Sequence, residues 1–244
     1  MDSVVRKSVM KAKTESSTPE ALGLTREKYA AAINYLFDRP LPQGQDQEWF
    51  WNIDEQEFDA TPLEWTRIQT VLFANAGRDL ARFDDEQVGM GLNYVMSNSV
   101  SNLPFAAIDA SVPLEEAMRM MRALPLLWRD CIGPRLANVN APIGSDNGRL
   151  GFVCYMWFDV WPTFWNVRDQ RPWQDAVWHV LREMLDMPYR EVQIAALHGI
   201  GHNIDVAYEP EAIARAINTF VRGIGAKDLE LMNYAQAAHR RCML

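Results

Sequence analysis

The motif with the clearest chemical potential is a pair of histidines four residues apart, His198 and His202, in the string His-Gly-Ile-Gly-His. On an α-helix this spacing places both imidazoles on one face, as in many metal sites. Asp205 follows closely, and His179 lies on an earlier helical segment that could face the pair. A metal-dependent hydrolase needs such a third ligand and a carboxylate that activates water. His198, His202, Asp205 and His179 are therefore the candidate metal ligands.

The same motif also has a purely structural explanation. Gly199 and Gly201 lie between the two histidines, and the glutamate of the HExxH metalloprotease motif is missing. Each glycine inside a helix costs about 1 kcal/mol relative to alanine, so two of them imply a specific packing reason. Together with Ala195 and Ala196 they predict a close crossing with a neighbouring helix. On this interpretation the imidazoles bond nearby backbone groups, and the chain binds no metal or other cofactor.

Asp159 is the single carboxylate in the aromatic run 154–165. A carboxyl group among aromatic rings can have a raised pKa and act as an acid or base. The alternative is an ordinary carboxylate that accepts from an indole N–H, an arginine or a backbone amide. Cys131 and Cys154 lie in no recognisable catalytic signature. We therefore predict no catalytic residue.

The segment Asp46–Glu64 is both acidic and aromatic. Between Arg39 and Arg67 the chain has seven acidic residues and no lysine or arginine. Aromatic side chains can anchor a partner protein, and carboxylates can steer a basic one. The aromatic rings could instead fold back and pin the segment to the core. The candidate partner-binding residues are Asp46, Glu48, Trp49, Trp51, Asp54, Glu55, Glu57 and Asp59.

Charge and composition exclude several classes of protein. The net charge is −8, and without the seven clustered acids it would be close to −1. A nucleic-acid binder or a protein that binds anionic membranes needs a basic face instead. No run approaches the roughly 20 apolar residues of a membrane span, and the first residues lack the apolar core of a secretory signal. Three widely spaced cysteines predict no disulfide framework. We expect a soluble, cytoplasmic protein.

Helix signals recur along the chain. Thr61-Pro-Leu-Glu64 combines an N-cap, a proline at the first helical position and the glutamate of a capping box. Thr25 and Ser111 are predicted to cap two other helices. No segment alternates like a half-buried strand. The pattern predicts an all-α fold of antiparallel helical pairs, stacked as a compact HEAT-like α-solenoid or bundle. We assign residues 1–20 to a mobile N-terminal arm and residues 21–244 to one domain.

Three sequence blocks in this order resemble a group of uncharacterised bacterial all-helical proteins of HEAT-like type. The blocks are Asp85–Val88, Tyr155–Asp159 and Ala196–His202, where that group carries DEQV, YMWWD and ALHGLGH. The chain departs from the group at Phe158, where a second tryptophan is expected. The resemblance covers about residues 60–205. It implies a helical fold and says little about function, because the group has no established enzymatic activity.

Two functions follow as hypotheses. The first is a non-enzymatic binding module, an immunity protein or antitoxin that neutralises a basic bacterial toxin through the acidic aromatic segment. Proteins of similar shape and acidity serve as immunity partners, which is an analogy of fold only. The alternative is a metal-dependent hydrolase that uses His198 and His202.

Overall fold

The computed structural model describes residues 17–44, 46–162, 170–203 and 209–240. These residues form ten α-helices and no strand, which confirms the predicted all-α fold. The helices are α1 Arg26–Phe37, α2 Pro62–Asp79, α3 Asp85–Met96, α4 Leu114–Leu127, α5 Gly133–Leu136, α6 Gly148–Val160, α7 Arg171–Leu185, α8 Arg190–Asn203, α9 Pro210–Ile224 and α10 Leu229–His239. Each helix described is too short or too polar to span a membrane.

Local capping explains where several helices begin. The Thr61 hydroxyl accepts from the Glu64 amide, and the Glu64 side chain accepts from the Thr61 amide, so the predicted capping box is present. Thr25 caps α1 as predicted. The prediction for Ser111 is wrong: α4 begins at Leu114, and the Ser111 hydroxyl donates to the Asp109 carboxylate at 2.6 Å.

Helix α6 lies at the centre of the packing. It contacts α3 on one side and α8 on another, while α8 also packs against α7 and α10. The side chains of Trp128, Trp157 and Phe158 are fully buried around α6. The rings of Trp128 and Phe158 stack with their centroids 5.4 Å apart. One hydrophobic core runs through the described residues from Leu22 to Ala238.

Glycines allow the closest helix crossings. A Cβ atom on Gly89 of α3 would lie 2.4 Å from the backbone nitrogen of Leu150 in α6. A Cβ atom on Gly199 of α8 would lie 2.8 Å from side-chain atoms of Phe158 and Leu181. The predicted close crossing at Gly199 is therefore confirmed, and it brings α8 directly against α6.

The start of the described chain is attached to the core. The carbonyl of Ser17 accepts from the Asn75 side chain at 2.9 Å, and Leu22 and Leu24 are buried. Residues 1–16, which make up most of the predicted arm, lie outside the described residues.

Candidate functional site

Part of the acidic aromatic segment folds back onto α1 and α3. The ring of Trp49 lies 5.1 Å from that of Tyr35 and 4.8 Å from that of Tyr94. The Arg39 guanidinium lies 4.3 Å above the Trp49 ring, a cation–π contact. Phe58 also packs on Tyr35. Trp49 and Phe58 therefore pin the segment to the core and are not available as partner anchors.

The carboxylates of the segment divide into two groups. Three form ion pairs within the chain: Glu48 with Arg149, Glu55 with Arg39, and Glu64 with Lys28. The other four are exposed, and no ion pair joins them to another described residue: Asp46, Asp54, Glu57 and Asp59. Roughly half of the predicted acidic surface is thus neutralised internally. The remaining carboxylates keep their charge facing solvent.

Two large apolar side chains lie exposed between these carboxylates. Trp51 is 46% exposed and Ile53 is 97% exposed. The Asn52 side chain between them accepts from the Asp54 amide, which holds the turn. We call Trp51, Ile53, Asp54, Glu57 and Asp59 the acidic tip. Sequence reasoning missed Ile53, because nothing in the pattern distinguishes an exposed isoleucine from one that folds back.

A groove borders the acidic tip. It has a volume of about 370 Å³ and is lined by Ile53, Glu57, Tyr94 and the loop 98–102. Polar residues, among them Ser101 and Asn102, form part of its lining. The tip and the groove share Ile53 and Glu57, so Ile53 belongs to a larger surface and is not an isolated exposed residue.

The histidine pair gains a partner that the sequence did not predict. The rings of His198 and His202 on α8 lie 4.5 Å apart, and Asp159 at the end of α6 joins them. The Asp159 Oδ1 atom lies 4.0 Å from His202 Nε2. One candidate ligand atom from each of the three residues lies within 4.8 Å of the other two. Asp159, His198 and His202 form the cluster that we call the His–Asp site.

His179, another predicted ligand, does not join this cluster. His179 lies exposed on α7, where its Nε2 is 2.9 Å from the Glu183 carboxylate. Asp205 lies outside the described residues. The third group beside the histidine pair is therefore Asp159, which the sequence offered only as an isolated carboxylate among aromatic rings.

Two tyrosines support the buried histidine. The Tyr234 hydroxyl of α10 lies 2.9 Å from His198 Nδ1, and the Tyr155 hydroxyl lies 2.9 Å from that of Tyr234. The Tyr155 ring also packs against the His198 ring, with centroids 4.2 Å apart. Sequence reasoning expected the imidazoles to bond backbone groups, and for His198 this is wrong. Tyr234 is 36 residues away, and no local pattern connects it with His198.

His198 is buried, with 3% of its surface exposed. Its Nε2 atom has no hydrogen-bond partner among the described residues. Burial, followed by the nearby charge of His202, lowers the pKa of His198 to about 4. The imidazole is therefore neutral near pH 7, and one of its nitrogens remains available to bind a ligand.

This depressed pKa predicts a loss of stability in mild acid. An unfolded histidine has a pKa of about 6.5, so the unfolded chain binds a proton on His198 before the folded chain does. Between pH 7 and pH 5 the metal-free protein should lose about 2 kcal/mol of unfolding free energy through this residue. Urea denaturation of the wild type and His198→Gln, both in chelator, measures the difference. If the free energy of unfolding fell equally with pH in the two proteins, His198 would not be the source of the acid sensitivity. The exposed-site variant His179→Gln is the matched control.

The two cysteines in the described part of the chain give no sign of a nucleophile. Cys131 and Cys154 are both buried and unpaired. Burial raises the pKa of the Cys131 thiol, and it raises the pKa of the Cys154 thiol to about 12. Because the thiolate is the reactive form, neither residue suits nucleophilic catalysis.

The resemblance to helical bacterial proteins remains a prediction, and the functional case depends on the acidic tip and the His–Asp site of this chain. Comparison with protein-family models, curated proteins and solved structures finds no match.

Proposed function

We propose that this chain is a non-enzymatic binding module that docks a basic protein on the acidic tip. The observation that carries the proposal is the position of Ile53, which is almost fully exposed beside Trp51 and lies near Asp54, Glu57 and Asp59, three carboxylates that no ion pair joins to another described residue. This arrangement combines an apolar anchor with an electrostatic field of one sign, the two elements that a protein interface uses for affinity and for steering.

The attachment of the tip also favours binding. Trp49, only two residues before Trp51, is packed on Tyr35 and Tyr94 and covered by Arg39. Arg39 in turn pairs with Glu55 at 2.8 Å, on the other side of Ile53. The apolar side chains are thus presented by a backbone that is fixed at both ends. Ordering a flexible loop on binding would cost free energy, and a fixed loop avoids most of that cost.

The charge of the tip specifies the kind of partner. Asp54, Glu57 and Asp59 give the surface a local excess of negative charge, which attracts a basic protein and repels an acidic one. A basic toxin domain that this chain neutralises as an immunity protein or antitoxin is the partner that we propose. Such a function needs a complementary surface and no catalytic group.

Metal-dependent hydrolysis is supported less well by the geometry. A hydrolase of this kind needs a carboxylate that activates water in addition to the metal ligands. Asp159 is the carboxylate of the His–Asp site among the described residues, and as a ligand it would not be free for that task. Metal binding is therefore a separate question from hydrolysis.

Neutralising the acidic tip should slow association with the partner. The partner is first captured from the native host on immobilised wild-type protein, and its binding kinetics are then measured with purified components. In the variant Asp54→Asn/Glu57→Gln/Asp59→Asn we expect an association rate lower by about tenfold at low ionic strength, with a smaller effect as salt screens the field. Glu55 is left unchanged because it pairs with Arg39.

A matched control distinguishes the effect of the charge at the tip from the effect of the net charge of the protein. Glu115, Asp175 and Glu211 are exposed acids outside the tip, and Glu115→Gln/Asp175→Asn/Glu211→Gln changes the net charge equally. This control should associate almost as fast as the wild type. Ile53→Ser should mainly speed dissociation, because it removes an apolar anchor. Equal slowing by both charge variants, or no slowing by either, would overturn the proposed docking surface.

A further inference from the structure

We propose that the His–Asp site binds one divalent transition-metal ion of the Zn²⁺ class through Asp159, His198 and His202. This inference is independent of the docking function, because the three residues lie on α6 and α8 and none belongs to the acidic tip. It also differs from the ligand set predicted from the sequence, in which Asp205 or His179 completed the histidine pair.

The donor atoms fit this class of ion. Two imidazole nitrogens and one carboxylate oxygen suit Zn²⁺, Fe²⁺ and Co²⁺, whereas Ca²⁺ and Mg²⁺ prefer an all-oxygen set. Catalytic zinc sites commonly use three protein ligands and keep one position open. The His–Asp site would supply three protein ligands and leave the fourth coordination position to water or another ligand.

His198 is the fixed member of the site and provides the second line of support. Its Nδ1 atom is hydrogen-bonded to the Tyr234 hydroxyl at 2.9 Å, whereas its Nε2 atom has no hydrogen-bond partner among the described residues. When Nδ1–H donates to Tyr234, and Tyr234 donates to Tyr155, Nε2 carries a lone pair and no proton. Metal-binding histidines are typically oriented by a hydrogen bond from the other ring nitrogen in this way. A buried nitrogen without a partner is thus explained as a ligand atom.

The other two ligands can adjust their positions. Ligand atoms of a tetrahedral zinc ion lie about 3.4 Å apart, given Zn–N and Zn–O distances near 2.1 Å. In the structure His202 Nε2 and Asp159 Oδ1 are 4.0 Å apart, and the ligand atoms of the site span up to 4.8 Å. The side chains of His202 and Asp159 are 30% and 32% exposed. Metal binding would therefore require the ligand atoms to move together by about 1 Å, which we expect to occur by rotation of these two partly exposed side chains.

The small residues of α8 position the proposed metal ligands, so their packing role is compatible with metal binding. Gly199 lets Phe158 approach within a distance that a Cβ atom would not permit. Asp159 is the next residue after Phe158, and His198 is the residue before Gly199. The close crossing therefore brings the carboxylate of α6 to the histidines of α8, so the packing explanation and the metal explanation of this motif apply together.

The test uses Zn²⁺ and Co²⁺ on the purified full-length chain after removal of metals with a chelator. We expect one Zn²⁺ bound per chain by calorimetry and elemental analysis. Co²⁺ should give visible d–d absorption of a nitrogen- and oxygen-liganded ion, and Zn²⁺ should displace it. Asp159→Asn and His202→Gln should each weaken Zn²⁺ binding by at least about 100-fold, while Tyr234→Phe should weaken it by about tenfold.

Control variants distinguish Zn²⁺ binding at the His–Asp site from binding elsewhere and from loss of folding. His179→Gln alters another histidine that has a carboxylate partner four residues away, but that pair is exposed and outside the site. Its Zn²⁺ affinity should stay within twofold of the wild type. His202 and Asp159 are partly exposed, so their variants should fold, and far-UV circular dichroism verifies this even if His198→Gln does not fold. Substoichiometric Zn²⁺, unchanged affinity in both ligand variants, or an equal loss in His179→Gln would each overturn the site, whereas partner capture tests the docking proposal separately.

Discussion

Replacing Gly89 by alanine is expected to destabilise the protein by about 3 kcal/mol, although alanine is the better helix former. Gly89 lies in α3 at its crossing with α6. A Cβ atom there would be 2.4 Å from the Leu150 nitrogen and 2.5 Å from the Arg149 carbonyl carbon. These are backbone atoms of a neighbouring helix, so no side-chain rotation relieves the clash. Forcing extra atoms into a packed interior costs 1–3 kcal/mol or more, which exceeds the roughly 1 kcal/mol gained in helix propensity.

The matched control for this prediction is Gly223→Ala. Gly223 also lies in a helix, α9, but apart from its own helix backbone and chain neighbours a Cβ atom at this position would meet no described atom within 4 Å. Here the same chemical change should stabilise the protein by up to about 1 kcal/mol. Urea denaturation of both variants gives the two free energies of unfolding. If both substitutions raised the free energy of unfolding, helix propensity and not the α3–α6 contact would govern the effect of Gly89→Ala.

Replacing Arg190 by alanine should have the next largest effect, about 2–3 kcal/mol of lost stability. Arg190 lies at the start of α8, and its guanidinium donates to Asp228 at 2.7 Å, to Glu230 at 2.6 Å and to the Ala141 carbonyl at 3.1 Å. It thereby ties α8 to α10 and to the loop before α6. Its removal leaves clustered carboxylates without their cation, which is costly where the group is mostly buried. The expected value is below the fully buried limit because Glu230 is half exposed.

Arg215→Ala provides the comparison for the Arg190 variant. Arg215 pairs with Glu211 one helical turn away, at 3.6 Å, and both side chains are largely exposed. Such a pair contributes at most about 0.5 kcal/mol. Denaturation curves give the total effect, and hydrogen exchange should show the loss of protection concentrated in α10. Equal destabilisation by the two arginine variants would contradict the role assigned to the Arg190 cluster.

Local signals in the sequence predicted the helices well. The caps at Thr25 and Thr61 are present because a hydroxyl and a backbone amide three residues apart need no distant partner to form a bond. Ser111 also carries a hydroxyl, but that hydroxyl bonds Asp109, and Pro113 precedes the first residue of the helix. A cap depends on local backbone geometry as well as on the side chain, and composition alone does not contain that geometry.

The candidate sites were predictable only in part, because their completion depends on contacts between distant segments. Helical spacing correctly placed His198 and His202 together. Asp159 joins them from 39 residues away, and only the packing of α6 on α8 makes it a neighbour. In the acidic segment, composition left open whether the aromatic rings point in or out. The structure divides them: Trp49 is held on Tyr35 and Tyr94, and Trp51 is left exposed.

The double role of Arg39 has a consequence for how the acidic tip responds to distant changes. Arg39 covers the Trp49 ring and pairs with Glu55, so it fastens both ends of the intervening turn. Loss of either contact would release the turn, and we expect that only the fastened form seen in the structure presents Trp51 and Ile53 together. The apparent dissociation constant equals the intrinsic constant divided by the population of the fastened form. A modification or bound molecule that engages Arg39 would thus weaken docking without touching the contact surface.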